Sequence, residues 1–180
     1  MKRFNLLTGA LTIALISLSP SPVVAQCTAS GTPASCSLPG SVAMTAGRVI
    51  RLQMTATSTT LTAPTPADFD AGFNSTSGPT LTVSSNSSWS LYVRSSAPLW
   101  SATNTAGGAP ARTDKPVGDL RWSTDAGGPF VALTTTDANL LSGAATASDS
   151  RTLYFETAYS WALDTPGDYG LTLVVSLTAP

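Results

Sequence analysis

Asp164-Thr-Pro-Gly-Asp-Tyr-Gly-Leu-Thr-Leu-Val-Val-Ser-Leu-Thr-Ala-Pro180 is the stretch on which the fold turns. Pro166-Gly167 predicts a turn, because proline pre-sets φ and glycine accepts a positive one. Beyond it Leu171, Leu173, Val175 and Leu177 recur at period two, with Thr172, Ser176 and Thr178 between them. That alternation predicts an antiparallel strand with one buried face. The sequence ends on this strand, which is expected to pair within its own sheet and to complete a self-contained β-sandwich.

Working towards the N-terminus, the same period recurs. Arg151–Tyr159 predicts a strand with Leu153, Phe155 and Thr157 inward and Tyr154, Glu156 and Ala158 outward. Val117–Ser123 and Phe130–Thr134 flank Asp125-Ala-Gly-Gly128, a hairpin turn, and Asn139–Gly143 reads as a short edge piece. Pro79–Ser84 and Ser88–Arg94 are expected to form a hairpin around Asn86, with Trp89, Leu91 and Val93 on one face. Arg48–Thr55 alternates Ile50, Leu52 and Met54 against Arg51, Gln53 and Thr55, and Thr59–Ala63 is a weaker strand. Helical periodicity is absent after the first residues, and 13 prolines and 14 glycines cut the chain into short runs. About seven to eight such strands predict an all-β, immunoglobulin-like antiparallel β-sandwich.

The first residues read as an export signal. Met1-Lys-Arg supplies the positive end, Leu6–Leu18 the apolar stretch, and Val23-Val-Ala25 the small-residue site, with cleavage expected before Gln26. The apolar run is too short to span a bilayer, so no transmembrane segment is expected after cleavage. The predicted organisation is therefore a signal peptide over 1–25, an N-terminal segment over 26–46 and the sandwich over 47–180. Cys27 and Cys36 are the two cysteines, and in an exported chain they predict one disulfide around a Gly/Pro/Ser loop. Its loop-closure contribution is about 2–3 kcal/mol, spent on pinning the terminus. The expected location is secreted, periplasmic or cell-surface.

Charge excludes some partners. Only 11% of residues are charged, the formal net charge is −1, and Lys115 is the one lysine beyond Lys2. Such a chain offers no basic surface to nucleic acid. Without any histidine a Ser-His-Asp triad cannot form, and no Ser-x-x-Lys spacing leads to Lys115. The aspartates sit beside Gly, Pro or Thr, where turn and cap chemistry accounts for them, and Glu156 is the one glutamate. We therefore expect no catalytic residues, no cofactor and no metal. Asp68 with Asp70, and Asp164 with Asp168, could offer oxygen to calcium, but neither pair has a recognised loop spacing.

The tryptophans are the side chains with the most to say. Trp89, Trp122 and Trp161 lie in or beside alternating strands and are expected in the core. Trp100 lies in the irregular region 95–116 and is the best candidate for an exposed aromatic, the candidate ligand-binding residue for a glycan, although packing of its loop over the sandwich edge is the favoured reading. Tyr169 is expected to tie a turn to the closing strand, as in a tyrosine corner.

Three stretches carry a likeness: Ser88-Trp-Ser-Leu-Tyr-Val93, Lys115-Pro-Val-Gly-Asp-Leu-Arg-Trp122, and Asp164 through Pro180. Together they resemble secreted bacterial immunoglobulin-like β-sandwich proteins of unassigned function. The closing Pro-Gly-Asp-Tyr strand is also similar to the end of spore-coat-protein-U-type pilin subunits, in which an incomplete sandwich receives a strand from the next subunit. The chain departs from that pattern in Gln26–Ala46, where Pro33, Pro39 and the cysteines replace an alternating donor strand. The resemblance implies a non-enzymatic surface or fibre-associated protein that self-associates or meets cell-surface components. The alternative is a glycan-binding module using Trp100.

Overall fold

The structure, a computed structural model, describes residues 26–38, 40–103 and 110–180. The expected signal peptide and its cleavage site therefore lie outside the described residues, as does the Gly107-Gly108 part of the irregular region. The chain divides into two compact units, Met1–Thr45 and Ala46–Pro180. In the first, the described residues form no helix or strand, and a disulfide joins Cys27 to Cys36 with the Cα atoms 5.8 Å apart. Val42 and Met44 there are 100% and 88% exposed.

The second unit is an antiparallel β-sandwich. Its larger sheet runs in the order β1 (Ile50–Met54), β2 (Phe73–Ser85), β8 (Thr146–Ala158), β5 (Leu120–Ser123), β6 (Val131–Ala132). The smaller sheet runs β10 (Leu173–Thr178), β3 (Trp89–Ser95), β7 (Ala138–Gly143). A ribbon of β4 (Ser101–Thr103) and β9 (Asp168–Gly170) stands beside them. Ten strands exceed the expected seven to eight because β4, β6 and β9 are only two or three residues long.

Alternation places the core where the sequence predicts it. Leu81 and Val83 of β2, Leu153 and Phe155 of β8, and Leu120 and Trp122 of β5 face Trp89, Leu91 and Val93 of β3, all of them buried. Removing these side chains from water is the main source of stability. Trp89 packs so tightly against β7 that a Cβ on Gly143 would stand 2.8 Å from its ring, while its Nε1 donates to the Ala144 carbonyl at 2.8 Å. The hairpin at Asp125–Gly128 forms as expected, with Gly128 at φ 79° and Trp122 opposite Val131.

Two local readings are corrected. β2 and β3 are not a hairpin, because the chain crosses at Asn86–Ser88 from one sheet to the other. Asn86 fixes that crossing by accepting the Val49 N–H and donating to the Gly47 carbonyl, both at 2.8 Å. Thr59–Ala63 is loop, not strand. A short helix, α1 (Pro66–Ala71), follows it, started by Thr65 and Asp68 bonding each other reciprocally and stopped by Gly72 at φ 83°.

Leu91 is 1% exposed and lies at the centre of the smaller sheet. Leu91→Ala is expected to destabilise the domain by about 2–5 kcal/mol, read as a lower urea midpoint at unchanged slope.

Candidate functional site

Three consecutive facts of local chemistry assemble one end of the sandwich. Trp100 N–H bonds the Lys115 carbonyl at 3.0 Å and Leu99 bridges Pro116, so the irregular segment after β3 is held to the strand-like approach of β5. This contact turns Trp100 inward, where it is 6% exposed. The packed reading of Trp100 is the one observed, and the exposed, ligand-stacking candidate is corrected: the residue belongs to the core. Its Nε1 and that of Trp122 are buried without a partner.

The same segment drives Lys115 into the interior, 2% exposed. Its Nζ donates to Asp164 Oδ1 at 2.8 Å and to the Ala158 carbonyl at 2.9 Å, stands 3.3 Å from Asp119 Oδ2, and lies 5.4 Å from the centre of the Tyr159 ring. Arg112 completes the cluster at 3.0 Å from Asp164 and 3.5 Å from Asp119. Asp164 Oδ2 in turn accepts the Ser160 N–H at 2.8 Å, so the ion pair sets the turn after β8. Burial by itself would raise the Asp164 carboxyl, but the Lys115 bond and charge, the Ser160 N–H and Arg112 outweigh it and hold the group below its ordinary value. Tyr169 locks the adjoining turn as expected, donating to the Thr165 carbonyl at 2.7 Å and accepting the Arg112 N–H at 3.0 Å.

Three of the four aspartates singled out as possible calcium ligands have protein partners. Asp68 caps α1, Asp70 Oδ1 accepts the Trp161 indole N–H at 3.0 Å, and Asp164 serves Lys115 and Arg112. Among the described residues no three acidic or cysteine side chains converge as a metal site would require.

Beside this cluster lies a mainly apolar groove of about 1220 Å³. It is lined by Leu52 and Met54 of β1, Leu61 of the loop, Phe155 of β8, and Leu173 and Val175 of β10. β1 and β10 are the edge strands of the two sheets, and they meet on this side of the sandwich. Leu171, Leu173, Val175 and Leu177 do share a face towards the core, but all four remain only half-buried. β10 pairs with β3 as expected, while among the described residues its outer edge pairs with nothing. Leu171–Pro180 carries no charged side chain of its own, and the charge that reaches it is the Arg48 guanidinium, which donates to the Ala179 carbonyl at 3.1 Å.

Trp161 was expected in the core and is instead 63% exposed at the mouth of the groove, stacked on Phe69. Strand parity would have pointed it inward, but β8 stops at Ala158 and the turn at Ser160–Asp164 rotates it out. Compared with known proteins, the chain matches no family model and shows no significant similarity to a curated protein.

Asp164→Asn leaves the Lys115 ammonium with a weakened partner set and is expected to cost about 3 kcal/mol. Because the folded carboxyl is held low, the unfolded chain takes up the proton first as pH falls. The wild-type melting midpoint should therefore hold at neutral pH and drop below about pH 4, and the variant should lose much of that dependence. Iodide should quench one of the four tryptophans, and Trp161→Phe should remove that accessible component while Trp100→Phe leaves it in place.

Proposed function

We propose that the protein is a secreted, non-enzymatic structural subunit of a surface or fibre assembly, whose copies associate through the groove between β1 and β10. The observation that carries the reading is an apolar groove bordered by an unpaired, uncharged strand edge. Such an edge offers a row of backbone donors and acceptors, and the groove beside it offers apolar burial to alternate side chains. An added extended strand satisfies both at once. The disulfide fits an oxidising compartment, and no helix among the described residues is long and apolar enough to cross a membrane. The likeness of the closing strand to spore-coat-protein-U-type pilin subunits agrees with this reading.

Size-exclusion chromatography with light scattering, over a concentration series of residues 26–180, tests it. Species heavier than the monomer should grow with concentration and appear as polymers by electron microscopy. Leu171→Glu, which puts a charge in the groove outside any strand, should return the protein to monomer with an unchanged circular dichroism spectrum. A wild-type monomer at every concentration overturns the proposal.

A further inference from the structure

Trp161 is unlike the other three tryptophans in that most of its ring meets water. The exposure is built into the fold. One face of the indole stacks on Phe69, with ring centroids 4.6 Å apart and planes 28° from parallel. The indole N–H is committed to Asp70 Oδ1 at 3.0 Å, which sets the ring's rotation. The turn that carries it is pinned by Asp164, whose carboxylate joins the buried Lys115 to the Ser160 N–H. Phe69 itself packs against Tyr159, at 5.4 Å between centroids. The ring is thus fixed from several sides and presents its remaining face outward, a pre-organised platform rather than a loose side chain.

We infer that this platform binds the apolar face of a neutral pyranose in an oligosaccharide. A sugar ring has a flat C–H face that stacks on indole and a rim of hydroxyls that needs polar partners. Asp70 keeps acceptor capacity beyond its bond to Trp161, and Thr57, Ser58 and Thr60 are among the residues that line the same groove. The charge pattern selects the class of sugar. Asp68 and Asp70 stand on the adjoining helix, whereas Lys115 and Arg112 are buried in ion pairs, which disfavours sulfated or carboxylated glycans. The platform stands at the mouth of the same groove that borders β10, but its chemistry does not depend on the assembly reading.

Intrinsic fluorescence and isothermal titration of residues 26–180 with β-linked glucose and N-acetylglucosamine tetrasaccharides test the inference, with a heparin-derived tetrasaccharide as the anionic control. The neutral probes should change the emission saturably below about 1 mM, the weak end of measurable recognition. Trp161→Ala should abolish the response and Asp70→Ala should weaken it at least about tenfold, a loss of roughly 1.4 kcal/mol. Trp161→Phe, which preserves an aromatic stack on Phe69, should bind measurably and so separates recognition from folding. No saturable response to either neutral probe, binding that survives Trp161→Ala, or preference for the anionic probe overturns the inference.

Discussion

A single buried ion pair, Lys115 with Asp164, organises the end of the domain where everything of functional interest lies. The lysine reaches it from the approach to β5 and the aspartate from the turn after β8, 49 residues later in the chain. Burying two charges is not a cheap route to stability, and an apolar pair of similar volume often serves as well. What the pair supplies is position. Lys115 also bonds the Ala158 carbonyl where β8 stops, and Asp164 also bonds Ser160 and Arg112. Arg112 brings its backbone N–H to the Tyr169 hydroxyl, so the turn before β10 is tied to the same cluster. The approach to β5, the end of β8 with its following turn, and the turn at Thr165–Tyr169 are thereby set relative to one another.

This clamp explains which parts of the fold were legible in the sequence. Alternation named the buried faces of β3 and β8 correctly, because period two is a property of each strand alone. It could not say which sheet a strand joins, and so Pro79–Ser84 and Ser88–Arg94 read as a hairpin although Asn86 carries the chain between sheets. The capping pair Thr65 and Asp68 was present in the sequence as Thr-Pro-Ala-Asp, a start signal strong enough for a helix too short to show any periodicity.

The exchange between Trp100 and Trp161 has the same origin. Local pattern assigns a tryptophan in an irregular segment to the surface and one in phase with a strand to the core. Both assignments fail because long-range bonds decide the outcome: Trp100 N–H to Lys115, and Asp164 to Ser160 and Lys115. No signal within a few residues of either tryptophan reports those partners. Lys115, the one lysine beyond Lys2, set among Asp114, Asp119 and an arginine, was the available clue that the region is organised by charge.

The closing strand shows the limit most clearly. Its alternating leucines and valines state that a face seeks burial, and the half-buried state of all four shows that the demand is met in part. The larger sheet has five strands and the smaller has three. With neighbouring strands about 4.8 Å apart, the difference leaves roughly 10 Å of sheet without an opposite number. The two far edges are managed: β7 is preceded by Asp137, paired to Arg94 at 3.3 Å, and β6 is only two residues long. The six residues of β10 carry no charged side chain of their own, and Arg48 reaches this edge at the Ala179 carbonyl just beyond them. An apolar edge next to an open groove is costly in a protein at high local concentration unless it is covered, and that cost is the physical ground for the proposal that a partner strand pairs at the seam between β1 and β10.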